Sequence, residues 1–196
     1  MSHLCNMTPS GLLAGSYHKQ DLVGGYYVNH GYVKFGYPMA ASMTMLAWGV
    51  LEFKRAYMVA DEYRNALAAV KWGTDYFIKC HTGEFEFFGQ VWQTKDLNDY
   101  WGRAEDIDED IDTISFKCTH KKPCSDLLGE TAAALAAAGT IFKGVDDVYA
   151  RKCIGKAMAL YKFANKFRGS YHKSIPDAIN GYQVRIILDN LILCIL

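Results

Sequence analysis

The chain has 196 residues, and its 21 Lys and Arg residues balance 21 Asp and Glu residues, so the formal net charge at pH 7 is zero. A length of about 100 to 200 residues is typical of one domain, and a hydrophobic share of 51% excludes disorder by composition. The balanced charge argues against electrostatic binding to nucleic acid or to an anionic membrane. The 13 Tyr, 10 Phe and 4 Trp residues suit a sugar-binding site, and they equally suit a large core.

The first half of the chain predicts two helices. Apolar residues at steps of four and three predict a helix from about Pro38 to Met58, with one buried face formed by Met39, Met43, Leu46, Val50, Phe53 and Tyr57. A second helix is predicted from about Asp61 to Cys80, and because it is apolar on two faces, we expect both to be buried.

Two more helices are predicted in the second half. Ser125 and Asp126 can cap an Ala-rich helix that runs to about Lys143, and Asp146 or Asp147 can cap the next, which Gly169 would close. No strand-period run of comparable strength occurs. These patterns predict an all-α fold of paired helices, with long loops gathered at one end, where ligand sites tend to lie.

The six cysteines contain no C-x-x-C pair, which excludes a zinc ribbon and a thioredoxin motif. Cys118, His120 and Cys124 lie close together, but a fourth metal ligand at a suitable spacing is absent. Two alternatives follow for the cysteines, unpaired thiols or one local disulfide.

The segment from Asp21 to Met45 reads DLVGGYYVNHGYVKFGYPMAASMTM. It resembles the signature of glycoside hydrolase family 9, the inverting endo-β-1,4-glucanases, whose pattern is D-L-T-G-G-Y-Y-D-A-G-D-Y-V-K-F-G-x-P-M-A. The resemblance continues through residues 46–53, 69–82, 100–106, 125–138 and 163–171. It implies a partial (α/α)6 toroid of helix hairpins over residues 21–183, preceded by a poorly defined segment at 1–20 and followed by an unrelated apolar tail at 184–196.

The same resemblance implies that the catalytic base is missing. Inverting hydrolysis needs two carboxyl groups, roughly 6.5 to 9.5 Å apart, one of which activates water. The D-A-G-D of the family corresponds here to Val28, Asn29, His30 and Gly31. His30 is the one titratable replacement, but it stands at the family's glycine, so a loop histidine with no assigned role is the preferred interpretation.

The family's acid is a glutamate near the C-terminal end of the full domain, and this sequence ends before that region. The resemblance therefore predicts that the chain as written does not hydrolyse glucan. Three interpretations remain open at this point: a truncated or mispredicted cellulase, a non-catalytic glucan-binding protein, or a decayed gene copy that folds poorly.

Four residues are candidate substrate contacts through the resemblance. Tyr100 and Trp101 keep the aromatic pair of the family's D-H-x-Y-W-G-R-P-E, while Asn98 stands at its histidine. For Trp101, a sugar platform and plain packing are equally expected. Tyr182 matches the tyrosine of the family's D-A-Q-N-F-Y, which lines the cleft beside the cleaved bond.

No cofactor is expected, because the family's S-G-Y-x-D-E segment, which binds calcium in some members, has no counterpart. The stretch at residues 105–112, EDIDEDID, fails the EF-hand template at Ile111 and Lys117, so a solvated acidic loop is expected. The expected partner is β-1,4-glucan, without nucleic acid or membrane, and a partial toroid would self-associate through its open edges. Family members are mostly secreted, but the start of the chain contains no signal-peptide pattern, so the localisation stays open.

The break after Gln183 leads to a prediction about the gene. Val184 and Arg185 can be encoded by GTAAGA, which matches a splice donor, so we predict that residues 184–196 are translated intron. Sequencing the transcript across Gln183 tests this, and a gene without an intron at that position would contradict it.

Overall fold

The computed structural model describes residues 20–27, 33–94, 114–180 and 182. These residues are mostly helical and contain four long helices: α1 (Gly36–Glu52), α3 (Tyr63–Cys80), α4 (Ser125–Phe142) and α5 (Asp147–Lys166). Shorter pieces are α2 (Lys54–Val59), α6 (Tyr171–Ser174) and a 3-10 helix at Pro176–Asn180. The predicted helical fold class is confirmed. None of the described helices is both long enough and apolar enough to cross a membrane.

The first predicted helix is two helices, since the chain breaks at Phe53 between α1 and α2. Its predicted buried face is partly wrong, because Leu46 and Phe53 are exposed. The buried stripe instead includes small residues that let α4 approach closely: Ala40, Thr44 and Ala47. The prediction used only large apolar side chains, so it assigned part of the buried face to the wrong side of the helix and missed these small residues.

The helix ends follow the predictions in part. Asp146 caps α5 as expected, because its carboxylate accepts a hydrogen bond from Tyr149 N at 2.9 Å. Gly169 does not close α5, which ends at Lys166. A Cβ at Gly169 would lie 2.6 Å from Pro123, so the glycine serves a close chain crossing instead.

A small antiparallel sheet was not predicted from the sequence. It consists of β1 (Lys34–Phe35), β2 (His81–Gly83), β3 (Glu86–Val91) and β4 (Ser115–Thr119), with β3 paired to each of the others. All residues of β3 after Glu86 are buried, so the strand shows no alternation of polar and apolar residues. Lys34 and Ser115 both pair with Val91, which places the start of β1 and the start of β4 at the same end of the sheet.

The core is organised around α4, which packs between α1 and α5. Every residue of α4 except Ala136 and Thr140 is buried. Several large apolar side chains on α1 and α5 are nevertheless exposed, among them Met45 at 72% and Val148 at 72%. These side chains lie on helix faces that the described residues leave uncovered.

A lysine is buried in this core. Lys34 of β1 is 1% exposed, and its ammonium donates a hydrogen bond to Leu22 O at 3.2 Å. The same group lies 5.0 Å from the ring centre of Tyr27 and 5.4 Å from that of Tyr76, so two aromatic rings share in stabilising the charge. Burial nevertheless lowers the pKa of Lys34 to about 8, because the charged form loses its hydration.

This burial predicts a stability that rises with pH. The pKa of Lys34 falls from 10.5 to about 8 on folding, so between these values the unfolded chain holds more protons than the folded chain. Unfolding by urea should show that the stability of the wild type relative to Lys34→Met increases by on the order of 3 kcal/mol over this range. A difference that stays constant with pH would contradict the burial of a charged amine.

Cys118 and Cys124 form a disulfide that joins β4 to the start of α4, which decides between the two alternatives for these cysteines. Both residues are fully buried. The closed loop is short, and the chain-entropy relation for such a loop gives a stabilisation of about 2 kcal/mol.

We therefore expect the variant with Cys118→Ser and Cys124→Ser to lose about 2 kcal/mol of unfolding free energy, measured by urea denaturation. Reductant should lower the urea midpoint of the wild type and leave that of the double variant unchanged. An equal shift of the urea midpoint in both proteins would mean that the reductant acts on a group other than the Cys118–Cys124 disulfide, and would contradict the prediction.

Candidate functional site

The loop at residues 21–27, here called the anchored loop, leads directly into residues 28–31, which are predicted from the resemblance to stand at the family's base motif. Three side chains donate hydrogen bonds to its backbone carbonyls: Lys34 Nζ to Leu22 O (3.2 Å), Lys79 Nζ to Val23 O (3.0 Å) and Trp72 Nε1 to Gly25 O (2.8 Å). In return, the Tyr26 hydroxyl donates to Ala69 O on α3 at 2.9 Å. The loop is thus fixed to α3 and β1 along its length.

Gly25 explains why the sequence has a glycine pair at this turn. Its φ of +71° lies in the left-handed region, which residues with a Cβ rarely adopt. A Cβ at this position would also lie 2.8 Å from the ring of Tyr76. Both the backbone conformation and the available space therefore require glycine.

Asp21 adds an ion pair at the start of the anchored loop. Its carboxylate lies 2.8 Å from Lys79 Nζ and also accepts a hydrogen bond from Val23 N at 3.0 Å. Partial burial opposes ionisation, but these hydrogen bonds and the nearby lysine charges outweigh it, and the pKa of Asp21 is lowered overall. The pair is largely exposed to solvent, so it orients the loop more than it stabilises the fold.

Tyr182 is the one predicted substrate contact among the described residues. Its ring packs edge-on against Phe35 of β1, with ring centres 5.0 Å apart, and its backbone N–H donates to Ala178 O at 2.8 Å. Burial raises the pKa of its hydroxyl. The side chain remains partly exposed, so part of the ring is available to a ligand.

A carboxylate that the sequence analysis did not identify fixes the segment before Tyr182. Asp177 accepts hydrogen bonds from Gln90 Nε2, from Thr94 N at 2.8 Å and from Thr94 Oγ1 at 3.0 Å. It therefore ties the 3-10 helix to the end of β3. Residues 177–182 read DAINGY, so Asp177 stands at the first position of the D-A-Q-N-F-Y pattern from which only the tyrosine was interpreted.

Asp126, at the start of α4, holds the start of α6, and Tyr171 of α6 in turn reaches β3. Both oxygens of the fully buried Asp126 carboxylate accept from Tyr171 N at 2.9 Å, and Oδ1 also accepts from Leu127 N. Burial raises the pKa of Asp126, although these backbone hydrogen bonds favour the charged form. The Tyr171 hydroxyl reaches β3, where it donates toward Gly89 O at 3.2 Å.

The start of β1, the end of β3 and the start of β4 lie at one end of the sheet, where Lys34 and Ser115 both pair with Val91. Trp92 N donates to Ile114 O at 2.7 Å just beyond this pairing. Tyr182 contacts Phe35 at the same end. The other predicted residues lie outside the described residues: Val28, His30, Gly31, Asn98, Tyr100 and Trp101.

Within residues 20–27, 33–94, 114–180 and 182, no group of three His, Cys, Asp or Glu side chains is placed to hold a metal ion. The acidic stretch at 105–112 lies outside these ranges. The expectation that the chain needs no cofactor therefore stays a prediction.

Known proteins show which family this scaffold belongs to. The sequence profile described as Glycosyl hydrolase family 9 matches residues 3–193, a range that includes most of the tail at 184–196. Endoglucanase 22 of Oryza sativa subsp. japonica is 42% identical over 184 residues, which are 91% of this chain and 33% of that protein. Endoglucanase 6 of Arabidopsis thaliana is 41% identical over 89% of this chain.

The structures agree with the sequence comparison. The endoglucanase of the termite Nasutitermes takasagoensis superposes with a TM-score of 0.91 at 42% identity, over 99% of this chain and 45% of that one. The cellulase Cel9M of C. cellulolyticum, in complex with cellobiose, superposes with a TM-score of 0.86 at 32% identity, over 92% of this chain and 41% of that one. The chain spans about a third of the length of Endoglucanase 22. It therefore belongs to glycosyl hydrolase family 9, the family of the endo-β-1,4-glucanases, and has part of that family's helical toroid.

Proposed function

We propose that this chain binds β-1,4-glucan and does not hydrolyse it. The observation that carries the proposal is the replacement of both aspartates of the base motif, by Val28 and Gly31, within flanks that match the family closely. An alkyl side chain and a glycine have no group that can accept a proton from water. Inverting hydrolysis requires such a group on the face of the sugar opposite the leaving oxygen.

His30 does not alter this proposal. An imidazole can act as a base near neutral pH. However, His30 stands at the glycine between the two motif aspartates, and a base must lie within hydrogen-bond reach of the attacking water. We therefore assign no catalytic role to His30.

A longer polypeptide would meet the same difficulty. The matching relatives are about three times as long as this chain, and other parts of such a protein can supply further site residues. The motif segment would still have Val28 and Gly31 where the base belongs. The absence of hydrolysis follows from these two positions and does not depend on the length.

Glucan remains the best-supported ligand. Cel9M, a family member at 32% identity, is known in complex with cellobiose. The half-buried ring of Tyr182, together with Tyr100 and Trp101, offers aromatic surface of the kind that packs on sugar rings. Asn98 can supply a polar contact through its side-chain amide.

We also propose that the isolated chain self-associates. Exposed apolar side chains on α1 and α5, including Met45, Leu51 and Met158, leave apolar surface uncovered. Such surface favours contact with another protein. Sedimentation at several concentrations tests this proposal, and a monomer at all of them would contradict it.

Reducing-sugar release from carboxymethylcellulose tests the absence of hydrolysis. We expect none from the wild type, because no carboxylate stands at the base positions. A variant with Val28→Asp and Gly31→Asp, measured beside it, shows whether those positions limit the reaction. Release by the wild type would contradict the proposal, and loss of that release in His30→Ala would identify a histidine base.

Cellulose pull-down tests binding in the same preparations. Tyr182→Ala should weaken retention about fivefold, or about 1 kcal/mol, because an aromatic contact to the sugar is lost. Phe53→Ala is the matched control, since it removes an exposed aromatic residue at the other end of α1. The binding proposal would be wrong if the folded wild type were not retained, or if both variants lost retention equally.

A further inference from the structure

We infer that Asp177 is a positioning residue for Tyr182, holding that ring in the orientation in which it meets glucan. This inference rests on the proposed function. Asp177 lies five residues before Tyr182, so its effect would pass through the backbone between them. The supporting observations are the hydrogen bonds that converge on its carboxylate.

Three donors from β3 and its end converge on this one carboxylate. Gln90 Nε2 and Thr94 N donate to Oδ2, and Thr94 Oγ1 donates to Oδ1 at 3.0 Å. The Thr94 hydroxyl also lies 3.3 Å from Asp177 O. Hydrogen bonds to an ionised acceptor are roughly twice as strong as those between neutral groups. These hydrogen bonds to Asp177 therefore hold the 3-10 helix against β3, although the helix itself is only five residues long.

The orientation of the Gln90 amide is fixed by its other partners. Gln90 is fully buried, its Nε2 also donates to Trp92 O at 2.9 Å, and its Oε1 lies 3.3 Å from the Tyr171 hydroxyl. Because Nε2 must face position 177, that position needs an acceptor. An asparagine there would have the same shape but would lose one of the two carboxylate acceptors.

The bonds of the 3-10 helix carry this restraint to Tyr182. Ala178, the residue after Asp177, is fully buried, and its carbonyl accepts the hydrogen bond from Tyr182 N at 2.8 Å. The ring of Tyr182 has a second restraint, its edge contact with Phe35. With the backbone released, the ring would be held by its side-chain packing alone.

A double-mutant cycle in cellotetraose binding, measured by calorimetry, tests the inference. We expect Asp177→Ala and Tyr182→Ala each to weaken binding about fivefold, and the double variant to bind no more weakly than Tyr182→Ala alone. If Asp177 acts only through Tyr182, its effect must disappear once the ring is gone. Losses that multiply in the double variant would overturn the inference.

Matched variants separate positioning from general destabilisation. Thr94→Ser keeps both donors and should bind as the wild type does, whereas Asp177→Asn should resemble Asp177→Ala. Tyr149→Phe removes a buried hydrogen bond to Thr74 (2.7 Å) between α3 and α5, away from Tyr182. It should lower the melting temperature without changing the affinity, and an equal loss of affinity there would overturn the inference.

Hydrogen exchange makes the test independent of glucan binding. If the folded wild type does not bind cellotetraose, the proposed function is wrong, but the role of Asp177 can still be measured. Asp177→Ala, or Thr94→Val if that variant does not fold, should speed exchange at the Tyr182 amide, and Tyr149→Phe should not. Unchanged exchange at Tyr182 would overturn the positioning role.

Discussion

The enclosure of helix α4 is the constraint on which the rest of the structure depends. A helix that is buried on nearly all sides must satisfy its polar side chains within the protein, since water cannot reach them. Thr131 donates to Leu127 O of α4 itself, and three other polar residues of α4 each bond to a different element. Glu130 accepts from Thr44 of α1 at 3.0 Å, Asp126 accepts from the start of α6, and the Ser125 hydroxyl donates to Gly169 O at 3.0 Å. The requirements of one helix thereby fix the positions of three other segments.

The parts of the fold that local sequence patterns determine were predicted well. Apolar patterning predicts three of the four long helices and Ala-rich composition predicts α4, while the cap at Asp146 follows from its chemistry. The sheet was missed because β3 is buried on both faces and carries no alternation. The break at Phe53 and the role of Gly169 were missed because they depend on tertiary contacts, which no local window contains.

In the candidate site, too, residues in short motifs can be found from the sequence, whereas residues that act through tertiary contacts cannot. A short motif identified Tyr182 in the sequence, and its ring lies against Phe35 of β1, while its contact with sugar stays a prediction. Asp177 could not be assigned a role from sequence, because its partners Gln90 and Thr94 precede it by 87 and 83 residues. The matched flanks of the base motif are residues that fold the protein: Lys34 is buried, and Gly25 is required by its backbone conformation. Packing alone therefore accounts for these flanking residues, whatever stands at the four positions between them.

At Gly169 the chain passes so close to Pro123 that a substitution there would affect residues far from it. Its carbonyl accepts hydrogen bonds from Ser125, and a Cβ would lie 2.6 Å from both the ring and the carbonyl oxygen of Pro123. Any larger residue must push this connection away from the start of α4, two residues before Tyr171 begins α6. Because Tyr171 reaches Gln90, and Gln90 reaches Asp177, such a displacement would be transmitted to the 3-10 helix. A single methyl group at position 169 would thus act at a distance on the ring of Tyr182, through the side chains of Tyr171, Gln90 and Asp177 and without touching any ligand.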